Sequence, residues 1–420
     1  TGWGWDDVLP YFRKSEDQEN GESPLHGAGG PLAVSNMRLR RPVCDAWVAA
    51  AQAAGYPFNP DFNGPDQNGV GYAQLTARNG RRCSAAAAFL RPIRNRPNLR
   101  VLTRAQTTKI AIEGGRATGV HFVDAGGKPH LARARAEVVL CAGSIGSPHL
   151  LMLSGIGDPD MLAAQGIEAR VAAPDVGRNL QDHLQARLVY KCHEPTLNDE
   201  VRTLFGKARI AAEYALFRTG PMAMAASLAL AFLRTRPEVA TPDIQFHIQP
   251  WSADSPGAGV HPFSAFTASV CQLRPESRGW LSLTSPDYRV PPAIHPNYLA
   301  TEGDCATILA GVRVARAISA QEPLKSLISA AHSPADDLLD DAGLLDWVRN
   351  TATTIYHPSG TCRMGIDPRA VLDPQLRLRG VEGLRVADCS IMPEIVSGNT
   401  NAPAIMIGEK VSAMIRAQRR

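Results

Sequence analysis

The chain has 420 residues, 44% hydrophobic and 20% charged, with a formal net charge of +4. That balance excludes disorder, collagen and coiled coil, and the length argues for two or three packed units. The longest charge-free apolar stretch, Met222 to Leu233, is about 12 residues against the roughly 20 needed to cross a bilayer, and the Arg residues are scattered, so neither a membrane span nor nucleic acid is expected.

No charged-then-apolar leader opens the chain, and its first Met is Met37, so Thr1 is not expected to be the natural start. The first hundred residues read as loop-rich, with a strand at Pro31 to Ser35 and one helix from Pro42 to Ala54, which has Pro at its start and Gly55 beyond its end. Short strands follow at Val101 to Leu102, Lys109 to Ile112, Thr118 to Val123 and Leu131 to Ala134, separated by glycine pairs, which predicts an antiparallel meander. Glu137 to Gly143 is an apolar run suited to a strand buried on both faces, and a helix is expected over Ser147 to Ser154. Further on, strands are expected at Asp243 to Gln249, Ala265 to Leu273 and Gly279 to Leu283, and amphipathic helices at Ala208 to Phe217 and Ala306 to Ile318. The last segment returns to a short strand, Gly383 to Asp388, and a helix, Pro403 to Ile415. The order predicts one α/β domain interrupted by a second domain. The eight cysteines form no CxxC pair, and a chain this long needs no disulfide staples, so a reducing, cytoplasmic compartment is expected.

Three segments carry candidate chemistry. Cys141 to Pro148 places Gly143 and Ser144 between a buried strand and a helix, where backbone N–H groups favour phosphate; tight strand and helix packing is the competing reading. A meander feeding that strand, with a distant strand closing on Asp388, is the layout of a flavoprotein with two dinucleotide folds, in which an acidic strand end binds a cofactor hydroxyl. Tyr356 to Gly365 holds His357 in a Pro- and Gly-rich turn, a fixed position for a general base whose ordinary pKa near roughly 6.5 suits an alcohol proton. Gly398 to Pro403 places Asn401 as a cap and Pro403 early in a helix whose positive end would stabilise an anionic reduced cofactor. No GxSxG, HExxH or Walker A pattern occurs, and the histidines do not cluster at metal spacing.

The segments Gly143 to Gly157, Val176 to His183, Gly80 to Ala85, Tyr356 to Gly365 and Leu384 to Lys410 together resemble the glucose-methanol-choline (GMC) oxidoreductase family, closest in flavour to its bacterial choline and aliphatic alcohol dehydrogenases. The resemblance implies an α/β fold: an FAD-binding domain of the two-dinucleotide type with an inserted α+β substrate domain. Residues 1–100 would be shared between the domains, 101–184 and 346–420 would belong to the FAD domain, and 185–345 to the substrate domain. Family members begin with a GxGxxG strand and helix; none is present here, so the N-terminal part is read as missing. FAD would contact Thr107, Gly143, Ser144, Asp388, Asn401 and Pro403. The reaction implied is oxidation of a small alcohol to an aldehyde or ketone, with His357 as base, Asn399 holding the substrate oxygen, Asn401 as the fallback for that role, and a quinone, dye-like carrier or oxygen as electron acceptor. Peripheral membrane contact stays open, as do a nicotinamide-dependent dehydrogenase and a truncated, non-catalytic remnant.

Overall fold

In a computed structural model, residues 2–255, 257–338 and 340–418 are described. Helix α1, Trp5–Ser15, opens the chain where loop was expected; Pro10 masked it, because proline disrupts a helical pattern in sequence even where the fold tolerates it. Strand β1, Leu32–Asn36, and helix α2, Pro42–Ala53, lie where the sequence placed them, with Gly55 at a positive φ of 95° beyond the helix end. Strand β2, Gly69–Tyr72, was not anticipated, since its two glycines weaken the strand signal.

The meander is present as β3, Gln106–Glu113, β4, Arg116–Val123, and β5, Pro129–Arg133, paired antiparallel in that order. Val101 to Leu102 is not a strand: those residues are exposed and pair with nothing among the described residues. Strand β6, Val138–Leu140, runs directly into helix α3, Gly143–Leu153, which begins four residues earlier than the proline at 148 suggested. Pro148 lacks the N–H that would bond the Ser144 carbonyl one turn back, and that carbonyl instead accepts the Thr361 hydroxyl at 2.6 Å.

Strand β7, Leu184–Cys192, starts the second region. It is followed by helix α4, Leu204–Phe217, and strands β8, Ala229–Leu233, β9, Ile244–Gln249, β10, Ala265–Gln272, and β11, Trp280–Ser282. Helix α5, Glu302–Ser319, strands β12, Ile328–Ser333, and β13, Thr353–Thr354, then strand β14, Leu384–Val386, and helix α6, Asn401–Ala417, complete the chain. A seven-stranded antiparallel sheet has the order β12-β7-β10-β9-β8-β2, with β13 also paired to β7. Strand β6 pairs in parallel with β14, Val138 opposite Leu384, which joins two segments far apart in sequence.

Alternation along the strands gives the large sheet two unlike faces. Ala186, Leu188, Ala231, Phe246, Ile248, Ala268 and Val270 enter one core with Trp47 of α2 and Val312 of α5. A second core joins Val138, Leu140, Leu151, Met152, Val386 and Ile407, and it also takes in Leu281 and Leu283 at β11. The other sheet face carries Gln185, Arg187, Gln245, His247, Gln249, Thr267 and Ser269. Polar residues on a covered sheet face need a partner or a ligand, and this face is turned toward His357 and Asn399.

Candidate active site

His357 sits in a loop fastened on several sides. Gln181 and Ser359 form an isolated antiparallel bridge, with Gln181 N–H donating to the Ser359 carbonyl at 3.0 Å and Ser359 N–H donating back at 2.9 Å. Gly360 N–H donates to the Cys389 carbonyl and Cys362 N–H to that of Ser390, which ties the loop to the end of β14. Gly360 has a φ of 90°, and a Cβ there would lie 2.5 Å from the Asn179 carbonyl oxygen, so only glycine lets the two segments approach this closely. The residue before the histidine, Tyr356, takes a φ of 65°, costly for a bulky residue, and its N–H is held by Thr354 Oγ1 at 2.8 Å.

Asp182 organises both imidazoles. Its Oδ1 accepts the backbone N–H groups of His183 and His357, each at 2.9 Å. Its Oδ2 accepts the Tyr298 hydroxyl at 2.6 Å and the Thr354 hydroxyl. The carboxylate is buried and fully occupied by these four donors, so it orients rather than reacts.

The ring atoms form one chain of hydrogen bonds whose polarity can be read from its end. A carbonyl only accepts, so His183 Nε2–H donates to Leu273 O at 3.0 Å, and the neutral His183 ring presents an acceptor at Nδ1. His357 Nδ1 lies 3.0 Å from it and therefore carries the proton, which leaves a lone pair on His357 Nε2. Asn399 Nδ2 points its N–H at that lone pair from 3.3 Å, and Asn399 Oδ1 accepts from Gln245 Nε2 at 3.1 Å. An acceptor nitrogen and an amide donor thus meet at one point. A hydroxyl needs both when its proton leaves and its oxygen stays.

Burial, reinforced by the neighbouring imidazoles of His183 and His247, pushes the His357 pKa down to about 3, well below the near-neutral value expected from sequence. The same burial pulls His247 down to about 4 and lowers His183. Each is therefore neutral in the folded state but protonated at its ordinary pKa, near roughly 6.5, once unfolded. The unfolded chain binds more protons below that pH, so stability should fall as pH drops from about 6.5, by up to about 1.4 kcal/mol per pH unit for each histidine. Urea midpoints between pH 5 and 7.5 would measure this, and His247→Gln should flatten the slope. A flat parent profile would show that these rings are not buried neutral.

The other residues singled out from sequence fall in two places. Gly143 opens α3 at a φ of 78°, and a Cβ added there would meet no protein atom within 4 Å, so the backbone faces open space on that side. Asp388 crosses to the same turn: its Oδ2 accepts Gly143 N–H at 2.9 Å and Ser147 Oγ–H at 2.5 Å, and its Oδ1 accepts Ser390 N–H. Ser144 and Ser390 have buried hydroxyl oxygens with no partner among the described residues. Asn401 is not the cap of α6: Thr400 is, and it makes no side-chain cap bond, so the free N–H groups of Asn401 and Ala402 open the helix ahead of Pro403, which has none to offer. Thr107 lies on β3 beside an irregularity in its pairing with β4, in a three-stranded sheet separate from the seven-stranded sheet that carries His247. The open cradle at Gly143, the orphaned serine hydroxyls and the uncapped positive end of α6 fit a polar, anionic cofactor.

Gln245, His183, His247 and Asp182 were not assigned roles from sequence. The segment ending in Asp182 and His183 was a visible signal, but Gln245 and His247 alternate with core residues on an ordinary strand. Among the described residues no helix is long and apolar enough to cross a membrane, and no cluster of metal-binding side chains occurs.

Residues 1–185 and 275–408 match the N- and C-terminal family models described as GMC oxidoreductase. The chain is 41% identical over 417 residues to mitochondrial choline dehydrogenase of Mus musculus, covering 99% of this chain and 70% of that protein. It is also 41% identical over 416 residues to an oxygen-dependent choline dehydrogenase of Brucella melitensis biotype 1, covering 99% and 75%. Among solved structures, pyridoxine 4-oxidase from Mesorbium loti superposes with a TM-score of 0.87 at 31% identity, covering 99% of this chain and 78% of that one. Formate oxidase of Aspergillus oryzae RIB40, in a structure concerned with FAD modification, gives a TM-score of 0.90 at 26% identity, covering 99% and 78%. Sequence motifs, fold and relatives converge, and the chain belongs to the GMC oxidoreductase family of FAD-dependent alcohol oxidoreductases.

Proposed function

We propose that this chain oxidises an alcohol to an aldehyde or ketone with His357 as the base and Asn399 as the group that holds the substrate oxygen. The observation that carries the reading is the lone pair of His357 Nε2 facing the Asn399 amide at 3.3 Å, with the tautomer set by His183. FAD, when bound, supplies the acceptor for the substrate's hydride. Gly143, Ser144, Ser390, Asp388 and the first turn of α6 at Asn401 and Pro403 would hold it, with Thr107 toward its adenine end.

The hydroxyl proton passes to His357 Nε2, and the oxygen keeps the Asn399 N–H. Asn399 is itself positioned by Gln245, so its amide cannot turn away without breaking a second bond. His357 receives the proton with its Nδ1–H still donated to His183, which spreads the new charge. Asn399 supports this role better than Asn401, whose exposed side chain bonds nothing among the described residues. Because the base stays unprotonated down to about pH 3, the rate should show no acid limb near 6.5.

The test is anaerobic mixing of the FAD-loaded protein with primary alcohols, monitored by bleaching of the flavin band. Alcohol-dependent bleaching is expected, and Asn399→Ala should slow it by about ten- to a thousandfold, the range for one lost donor to a developing oxyanion. A protein that retains FAD yet is bleached by no alcohol, and by dithionite alone, would leave the non-catalytic reading standing.

A further inference from the structure

The strands of the seven-stranded sheet, Gly69–Tyr72, Leu184–Cys192, Ala229–Leu233, Ile244–Gln249, Ala265–Gln272, Ile328–Ser333 and Thr353–Thr354, contain no Asp or Glu. They do contain two basic residues, Arg187 and Lys191, four apart on β7 and therefore both on the face turned toward His357. Lys191 lies over the Phe263 ring, 4.8 Å from its centroid. Arg187 is half-buried and makes no hydrogen bond or ion pair among the described residues. Asp254, the carboxylate whose charge acts on Arg187, is exposed and engaged by His261 Nε2 at 2.9 Å.

Register places partners beside it. Arg187 stands directly opposite Ser269 on β10, and Ser269 stands opposite His247 on β9. Ser269 is fully buried, and its Oγ, like His247 Nδ1, meets no partner among the described residues. A guanidinium with no protein partner, in one row with a hydroxyl and an imidazole nitrogen that are buried and unsatisfied, matches the donors that surround a bound carboxylate. The row lies two residues along the sheet from the row of Gln185 and Gln245, a spacing of roughly 6.6 Å. Gln245 in turn holds Asn399, so the anion would sit a few bonds from the reacting carbinol.

We propose that Arg187, with Ser269 and His247, forms a carboxylate-binding subsite, so that the alcohol oxidised is a short hydroxy acid rather than a cation such as choline. The proposal rests on the alcohol-oxidising role of His357 and Asn399. Burial lowers the Arg187 pKa although Asp254 acts against that, yet guanidinium stays charged at any working pH, and its positive charge, opposed only by an exposed carboxylate that His261 already engages, repels a quaternary ammonium group.

The experiment compares flavin reduction in the FAD-loaded protein by 4-hydroxybutanoate, by 3,3-dimethyl-1-butanol and by its cationic isostere choline. The expected order of kcat/KM is the anion, then the uncharged alcohol, then choline. Arg187→Ala should lower the value for the anion by about ten- to a hundredfold and leave the uncharged alcohol nearly unchanged, and Arg187→Lys should restore part of the loss. Calorimetric titration with butanoate, which carries no hydroxyl, reads the subsite without catalysis and should show binding lost in Arg187→Ala. Choline outperforming its uncharged isostere, no effect of Arg187→Ala on the anion, or inorganic phosphate binding more tightly than butanoate would each overturn the proposal. Arg187-dependent butanoate binding in a protein that oxidises no alcohol would instead overturn the role of His357 and Asn399 while the subsite stands.

Discussion

Replacing His357 by alanine should lower the rate of flavin reduction by about two to four orders of magnitude, the range for a lost general base, while flavin content changes little. The effect is large because the environment offers no ready substitute. His183 Nε2 is committed to the Leu273 carbonyl and its Nδ1 faces His357, so it has no free lone pair aimed at the substrate side. Asn399 can donate to the oxygen but has no basic nitrogen. Flavin content should hold because His357 makes no bond to the α3 turn or to the first turn of α6. Stopped-flow reduction with the absorbance ratio of bound flavin measures both quantities at once. Parent-like reduction in His357→Ala, with a loss in His247→Ala instead, would move the base to β9.

Asp182→Ala should cost about 3–5 kcal/mol of unfolding free energy and also slow flavin reduction, because one buried carboxylate satisfies four donors. Its removal strands the backbone N–H groups of His183 and His357 and the hydroxyls of Tyr298 and Thr354. Tyr356, whose left-handed backbone depends on Thr354 Oγ1, then loses part of its restraint. The outcome separates positioning from structure through a conservative variant. Asp182→Asn keeps an oxygen for the two N–H groups while both hydroxyls can turn to accept from its amide, so it should recover most of the stability and much of the rate. Urea denaturation with the reduction rate measured on the same samples checks this, and an Asp182→Ala protein as stable as the parent would refute the assignment.

Much of the scaffold was legible because its signals are local. Pro42 and Gly55 bracket a helix, glycine pairs punctuate the meander, and an unbroken apolar run at Val138–Leu140 reads as a strand covered on both faces. His357 could be singled out from its Pro- and Gly-rich turn, whereas Asn399 was named only through the resemblance to the family, the local pattern pointing to Asn401 instead. Their tautomers and bonding order were not legible, since these depend on a carbonyl at Leu273 that is remote in sequence. The shift of His357 to about 3 was hidden for the same reason: burial and the neighbouring imidazoles of His183, just before β7, and His247, on β9, do not come from the loop itself.

Local pattern located most of the strands and helices, because backbone dihedrals and side-chain periodicity are properties of adjacent residues, and it failed where proline or glycine blurred the pattern, as at α1 and β2. It does not say which strands become neighbours. The parallel pairing of Val138 with Leu384 and the row from Arg187 through Ser269 to His247 exist only after chain segments distant in sequence have met. Gln245, His247 and Arg187 look in sequence like the exposed half of alternating strands, and covering that face by the His357 and Asn399 loops turns them into an interior polar surface. Burial is collective. It decides which nitrogen keeps its proton, which polar atoms lack partners and where a charge stands uncompensated, and these are the features on which the chemistry depends.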